Sequence, residues 1–137
     1  MNKSRAKRVL QWGLTLFMVG SGINHFWAPG AYVAMMPAIL PWPLGLVYVS
    51  GAFEILGGLG LILRATRRPA AVGLIALLLA VFPANVNMAV NHLPLAGHVL
   101  PAWALWARLP FQALFIVWAA WYARPPRKPA PQLLDKR

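Results

Sequence analysis

Polar residues are scarce along most of this chain and arrive in bunches. Four long apolar runs cover roughly residues 9–27, 44–63, 70–91 and 103–123, and the segments between them are rich in Pro and Arg. A helix needs ~20 mostly apolar residues to cross the hydrocarbon core of a bilayer. The pattern therefore predicts four transmembrane helices. Between the first two lies a segment of a different kind, apolar but broken by Pro29, Pro37, Pro41 and Pro43. It is too short to span and is expected to lie in the interface as a short helix over the end of the bundle. The expected fold class is all-α: an integral membrane four-helix bundle forming a single domain over residues 1–124. A basic, Pro-rich tail over 125–137 follows, expected to be disordered and weakly drawn to anionic lipid. No internal repeat stands out.

Composition strengthens this picture. Hydrophobic residues make up 60% of the 137 positions and charged residues only 11%, whereas a water-soluble domain is roughly 25% charged. Glu54 and Asp135 are the only acids. The net charge of +11 would suit a nucleic-acid binder, but its distribution does not. The basic residues fall into three clusters: Lys3, Arg5, Lys7, Arg8; Arg64, Arg67, Arg68; and Arg124, Arg127, Lys128, Lys136, Arg137. Only Arg108 stands apart. Basic connections alternate with uncharged ones, the signature of the positive-inside rule. This puts both termini and the middle loop in the cytoplasm, in a plasma (inner) membrane protein whose first partner is the lipid bilayer. Nucleic acid is excluded as a partner on the same ground. The first apolar run follows a basic stretch, as in a signal peptide, but ends in Asn24-His25-Phe26-Trp27 without a small-residue cleavage site, so a retained helix is expected. Trp12, Trp27, Trp42, Trp103, Trp106, Trp118, Trp121 and Tyr122 fall near the ends of the runs, where aromatic belts form. The absence of cysteine removes disulfides, thiolate metal sites and thiol relays.

An ionisable group inside a span is expensive, ~2.5–3.5 kcal/mol for an acid at the centre, and marks a functional candidate. Glu54 lies near the middle of the second run, on a face carrying Gly51 and Gly58 with Ser50 and Gly57 alongside. Small residues admit a neighbouring helix, so Glu54 is expected to point into the bundle. Arg108, with Gln112 one turn deeper, enters the fourth run and either snorkels to the interface or pairs with Glu54. Pro83 should kink the third run and free the Leu79 carbonyl, close to Asn85 and Asn87. Asn87 and Asn91 share a face and could equally be glue between helices. Ser21 and His25 share a face of the first run. The topology brings His25, Glu54, Asn85, Asn87, Arg108 and Gln112 to the centre or outer half of the membrane. They are expected to line one outward-facing polar cavity, open or nearly open to the outside and capped by the proline-rich first loop, with Glu54 deepest.

Three stretches carry a resemblance: Gly22-Ile23-Asn24-His25-Phe26 with Pro29, Tyr32, Pro37 and Leu40-Pro41-Trp42-Pro43; Ser50-Gly51-Ala52-Phe53-Glu54-Ile55-Leu56-Gly57-Gly58; and Val81-Phe82-Pro83-Ala84-Asn85-Val86-Asn87-Met88. Over residues 10–123 the chain resembles the DoxX-like family of small membrane proteins. The resemblance implies a four-helix membrane bundle but no single activity, since some such proteins accompany quinone-linked sulfur oxidation and others resemble assembly factors. Three function classes stay open: an accessory or quinone-linked subunit of a membrane redox system; a non-enzymatic partner that assembles or stabilises another membrane or secreted protein; and a small proton-coupled transporter. The last is disfavoured because small multidrug exporters place their glutamate in the first helix. Without cysteine, a redox role needs a quinone or another partner for its electrons. No cofactor is firmly implied, and a quinone is the candidate. Haem between His25 and His92 is disfavoured because His92 sits at the water boundary. No nucleophile elbow, phosphate loop or metal-spaced ligand set is present.

Overall fold

A computed structural model describes residues 3–95 and 97–125. Four long helices and one short one follow in order: α1 (Lys3–Trp27), α2 (Pro29–Val33), α3 (Pro43–Gly60), α4 (Arg67–Val90) and α5 (Ala102–Ala123). Among the described residues the only non-helical pairing is an isolated bridge between Leu95 and His98. Three helices, α3, α4 and α5, are long and apolar enough to cross a membrane, which fits a membrane protein. α3, α4 and α5 begin and end within a few residues of the apolar runs, whereas α1 is longer than its run. α1 starts at Lys3 and not near residue 9, so its basic cluster is part of the helix. At 25 residues it is about 37 Å long. The tail expected to be disordered lies, from residue 126, outside the described residues.

The helices start and stop where the chain forces them to. Pro29 and Pro43 occupy the first turns of α2 and α3, where a missing N–H costs nothing. α4 ends as His92 takes a left-handed conformation, φ 49°, a place more often held by Gly. α4 continues through Pro83, and α5 through Pro110.

α1 and α3 pack most closely. The face of α1 carrying Gln11, Thr15, Gly22 and His25 lies on α3. Gln11 donates to the Leu61 carbonyl (2.6 Å) and Thr15 to the Gly58 carbonyl (3.0 Å). Higher up, Gly22 and Gly51 meet. A Cβ at Gly22 would stand 2.6 Å from the Gly51 carbonyl oxygen, and a Cβ at Gly51 would stand 2.6 Å from His25 Cβ. No larger residue fits at either position without parting the helices. α4 packs on α3 and α5 on α4, while α1 and α5 touch only lightly. α3 and α5 are thus diagonal, with α4 between them.

The basic residues of α1, the α3–α4 connection and Arg124 lie towards one end, called here the basic end. Leu14, Met18, Leu61, Ala71, Leu74, Leu78, Ala119 and Tyr122 form a core there. Its seams are closed by Tyr122, whose hydroxyl donates to the Lys7 carbonyl (2.9 Å), and by Arg67, which donates to the Leu61 carbonyl (2.9 Å). A smaller core of Met35, Met88, Ala89 and Leu105 closes the opposite end. Trp27, Trp42 and Trp103 are exposed there, as expected of belt aromatics. Trp118 differs: it packs inward, beside Phe115 and against α1 at Gly13. Elsewhere the outer surface is apolar, with Leu16, Ile23, Phe53, Leu56, Leu79, Phe111, Leu114 and Val117 all exposed. A soluble monomer rarely shows apolar patches so large.

The Gly22–Gly51 contact gives a direct test. Gly51→Val should destabilise the protein by about 1–3 kcal/mol through overpacking. Gly73→Val, where an added Cβ meets nothing within 4 Å, should cost far less. Thermal unfolding in mild detergent, followed by circular dichroism, measures both.

Candidate functional site

Between the two cores lies a cavity of about 440 Å³. All four long helices and the α2 segment contribute to its wall, which is mostly apolar: Phe17, Val47, Val81, Phe111 and Phe115 surround it, with Met18 and Leu78 towards the basic end and Met35 and Met36 at the other. Polar groups enter from two sides.

On the α1–α3 side stand His25 and Glu54. Both are buried, 5% and 6% exposed. His25 Nδ1 lies 2.9 Å from the Ser21 carbonyl oxygen, so it carries the proton it donates there. The same nitrogen is 3.7 Å from Glu54 Oε2, an ion-pair distance too long for a hydrogen bond. Tyr32 stacks on the imidazole, with ring centroids 3.8 Å apart, and its hydroxyl accepts from Asn24 Nδ2 (2.8 Å). Glu54 Oε2 is buried with no hydrogen-bond partner among the described residues. A buried carboxyl oxygen without a partner forfeits a large part of its solvation, so the Glu54 carboxyl is the group on this side that would gain most from a further hydrogen bond.

On the α4–α5 side a chain of side-chain amides holds Arg108. Gln112, buried, donates to the Leu78 carbonyl. Its oxygen accepts from Asn85 Nδ2 (2.8 Å), and Asn85 Oδ1 accepts from Arg108 Nε (3.4 Å) and Nη2 (3.3 Å). Each amide has both ends engaged, so its orientation is fixed. No carboxylate among the described residues lies within ion-pair distance of Arg108. The guanidinium keeps N–H groups available on the cavity wall.

The structure thus brings together five of the six residues singled out from the sequence: His25, Glu54, Asn85, Arg108 and Gln112. Asn87 is not on the wall. It donates to the Met35 carbonyl (2.9 Å), tying α4 to the segment after α2, and accepts from Asn91 Nδ2 (2.8 Å). The alternative of a Glu54–Arg108 pair is not realised, because α3 and α5 are diagonal; the carboxyl faces His25 instead. Near Pro83, the carbonyl met by a side chain is that of Leu78, one residue before the one the proline frees. Sequence reasoning missed Phe17, Tyr32, Met35 and Met36, and the buried polar pair Gln11 and Thr15. Phe111 and Phe115 were legible in principle, since Arg108, Phe111, Gln112 and Phe115 fall on one helical face.

A family model described as Domain of unknown function (DUF8561) matches residues 14–123. The chain belongs to that family. The DUF8561 match runs from the buried Leu14 to the last residue of α5, and so takes in every residue of the cavity wall. No curated protein and no solved structure matches the chain. DUF8561 carries no assigned activity, so the chemistry rests on the cavity itself.

The amide chain predicts a measurable coupling. In a double-mutant cycle, Asn85→Ala and Gln112→Ala should couple by about 0.6–1.7 kcal/mol, the span for interhelical side-chain hydrogen bonds in membranes. Additive losses in unfolding experiments would show the bond contributes nothing.

Proposed function

We propose that the chain is a four-span membrane protein with both ends in the cytoplasm, and that it binds the head of a lipid-soluble quinone in the cavity between its helices. The observation that carries this reading is a buried Glu54, whose Oε2 has no hydrogen-bond partner among the described residues, on the wall of a mostly apolar cavity that also holds Arg108. A quinone head is a flat ring with two opposed oxygens. Arg108 N–H groups suit one oxygen, and the protonated Glu54 carboxyl suits the other. A quinol hydroxyl would instead donate to the Glu54 carboxylate, with His25 beside it to balance the charge. The wall of Phe17, Phe111 and Phe115 suits the ring faces. With no cysteine in the chain, electron transfer belongs to a membrane partner, and this protein acts as the accessory that binds and positions the quinone.

The topology in this reading rests on charge. Lys7 and Arg8, then Arg64, Arg67 and Arg68, then Arg124, mark the same end of every long helix. α1 serves as the fourth span, its basic first turns at the cytoplasmic surface. The cavity then lies in the outer half of the bilayer. A single cysteine placed at Ala31 should react with an impermeant reagent added outside intact cells. Labelling confined to inverted vesicles would overturn the orientation.

Binding is tested with decylubiquinone titrated against the purified protein in nanodiscs, followed by tryptophan quenching. Arg108→Gln should weaken binding by about 1.5–3 kcal/mol, the range for a hydrogen bond to a charged group, and Glu54→Leu, which removes a neutral donor, by about 0.5–1.5 kcal/mol. Asn91→Ala, exposed and off the cavity wall, should leave it unchanged. Equal affinities across all four proteins would refute the site.

A further inference from the structure

Two seams of the cavity and one of its ends are bridged. The α1–α3 seam is closed by Thr15 on the Gly58 carbonyl and by the Gly22–Gly51 contact. The α4–α5 seam is closed by Asn85 and Gln112. Tyr32 on His25 and Asn87 on the Met35 carbonyl hold the α2 segment across the end away from the basic cluster. The α1–α5 seam is different. Those helices meet at Lys7 and Tyr122, at Gly13 and Trp118, and at Phe17 and Phe115, whose rings stack 4.1 Å apart. All of these lie towards the basic end. Beyond Phe17 and Phe115, Ser21 and His25 of α1 face Arg108 and Phe111 of α5 across the cavity itself.

The same seam carries a second hollow. Leu10 of α1 and Leu114, Val117, Trp118 and Trp121 of α5 line it, with Arg124 at its far end. Leu114 and Val117 are largely exposed, so the hollow opens on the outer surface of the bundle. Phe115 belongs to the cavity wall and Trp118 to the hollow, and their rings are 6.0 Å apart, nearly parallel. The two hollows are therefore successive parts of one apolar track along α1 and α5. From Phe111 to Trp121 the track descends about 15 Å at the helical rise.

We infer that this track is a tail-binding groove, and that the ligand is a single-tailed amphiphile whose head lies in the cavity and whose hydrocarbon tail runs down the α1–α5 seam past Leu114 and Val117. The inference rests on the head-group reading above and adds the route and the shape of the ligand. A molecule in the cavity reaches the surrounding lipid along the α1–α5 seam, where the two helices touch only lightly. The groove below that opening is apolar along its length and is polar only at Arg124. A tail leaving by this route passes beside the Phe17–Phe115 stack, which forms the shoulder between the two hollows. A tailless head would fill the cavity and leave the groove to lipid. A two-chain phospholipid would have to place its second chain outside the single groove.

The test is a photoreactive decyl-tailed benzoquinone with a diazirine at the tail end, illuminated with the full chain in nanodiscs, and cross-links mapped by peptide mass spectrometry. The expected result is labelling concentrated at Leu10, Leu114 and Val117 and removed by excess tailless dimethoxy-methyl-benzoquinone. Val117→Phe, which fills the groove and adds no tryptophan, should cut that labelling several-fold while tryptophan quenching by the tailless quinone stays as in the natural protein. Competable labelling on Met36, or on the outer faces of α3 and α4, would overturn the groove and leave the head-group reading standing. Labelling that the tailless quinone does not compete away, with no quenching by that quinone, would overturn both.

Discussion

Glu54 can be buried in an apolar bundle only because α1 and α3 touch. A carboxyl in such surroundings needs a counter-charge or a hydrogen-bonding partner, and the nearest basic group is an imidazole carried by another helix. His25 reaches to 3.7 Å of Glu54 because Gly22 and Gly51 let the two backbones approach past the point where any Cβ would fit. The contact does more than place one side chain. It fixes α1 along α3, sets Thr15 and Gln11 onto the carbonyls near the end of α3, and holds the Ser21–His25 turn that orients the imidazole.

The other half of the protein solves a matching problem with different chemistry. Arg108 has no carboxylate beside it, so its position is held by neutral amides. The chain from the Leu78 carbonyl through Gln112 and Asn85 to the guanidinium has one direction of donation, and each group in it has its complement. This leaves the two ionisable centres on opposite walls of one cavity and separated by it. Had they paired, the cavity would be closed by their own contact. Because they do not, each keeps capacity for a third molecule: Glu54 through its unpartnered oxygen, Arg108 through its remaining N–H groups. The space between them is apolar enough to hold a ring and a chain.

Much of this was legible in the sequence, for identifiable reasons. Helix positions follow from apolar run lengths, which depend on no partner. The burial of Glu54 follows from the glycines on its own face. Five of the six candidate residues meet because successive helices run antiparallel, which brings alternate helix ends together. What could not be read was adjacency around the bundle. Four antiparallel helices can be ordered in more than one way, and only the order decides whether Glu54 faces Arg108 or His25. Asn87 went astray for a related reason: its partner is the Met35 backbone, and no side-chain pattern signals a carbonyl in an irregular segment. Trp118 looked like a belt residue because it lies near a helix end, but a small residue opposite, Gly13, draws it inward.

On this reading the Glu54 carboxyl gains a hydrogen bond from the molecule bound in the cavity. The sequence offers an unusually clean way to see this, since Glu54 and Asp135 are its only acids. Infrared difference spectra of the protein with and without bound decylubiquinone report the carboxyl bands directly. A carboxyl band should shift on binding, with the shift absent in Glu54→Gln and retained in Asp135→Asn. Binding that leaves the Glu54 band unmoved would contradict it.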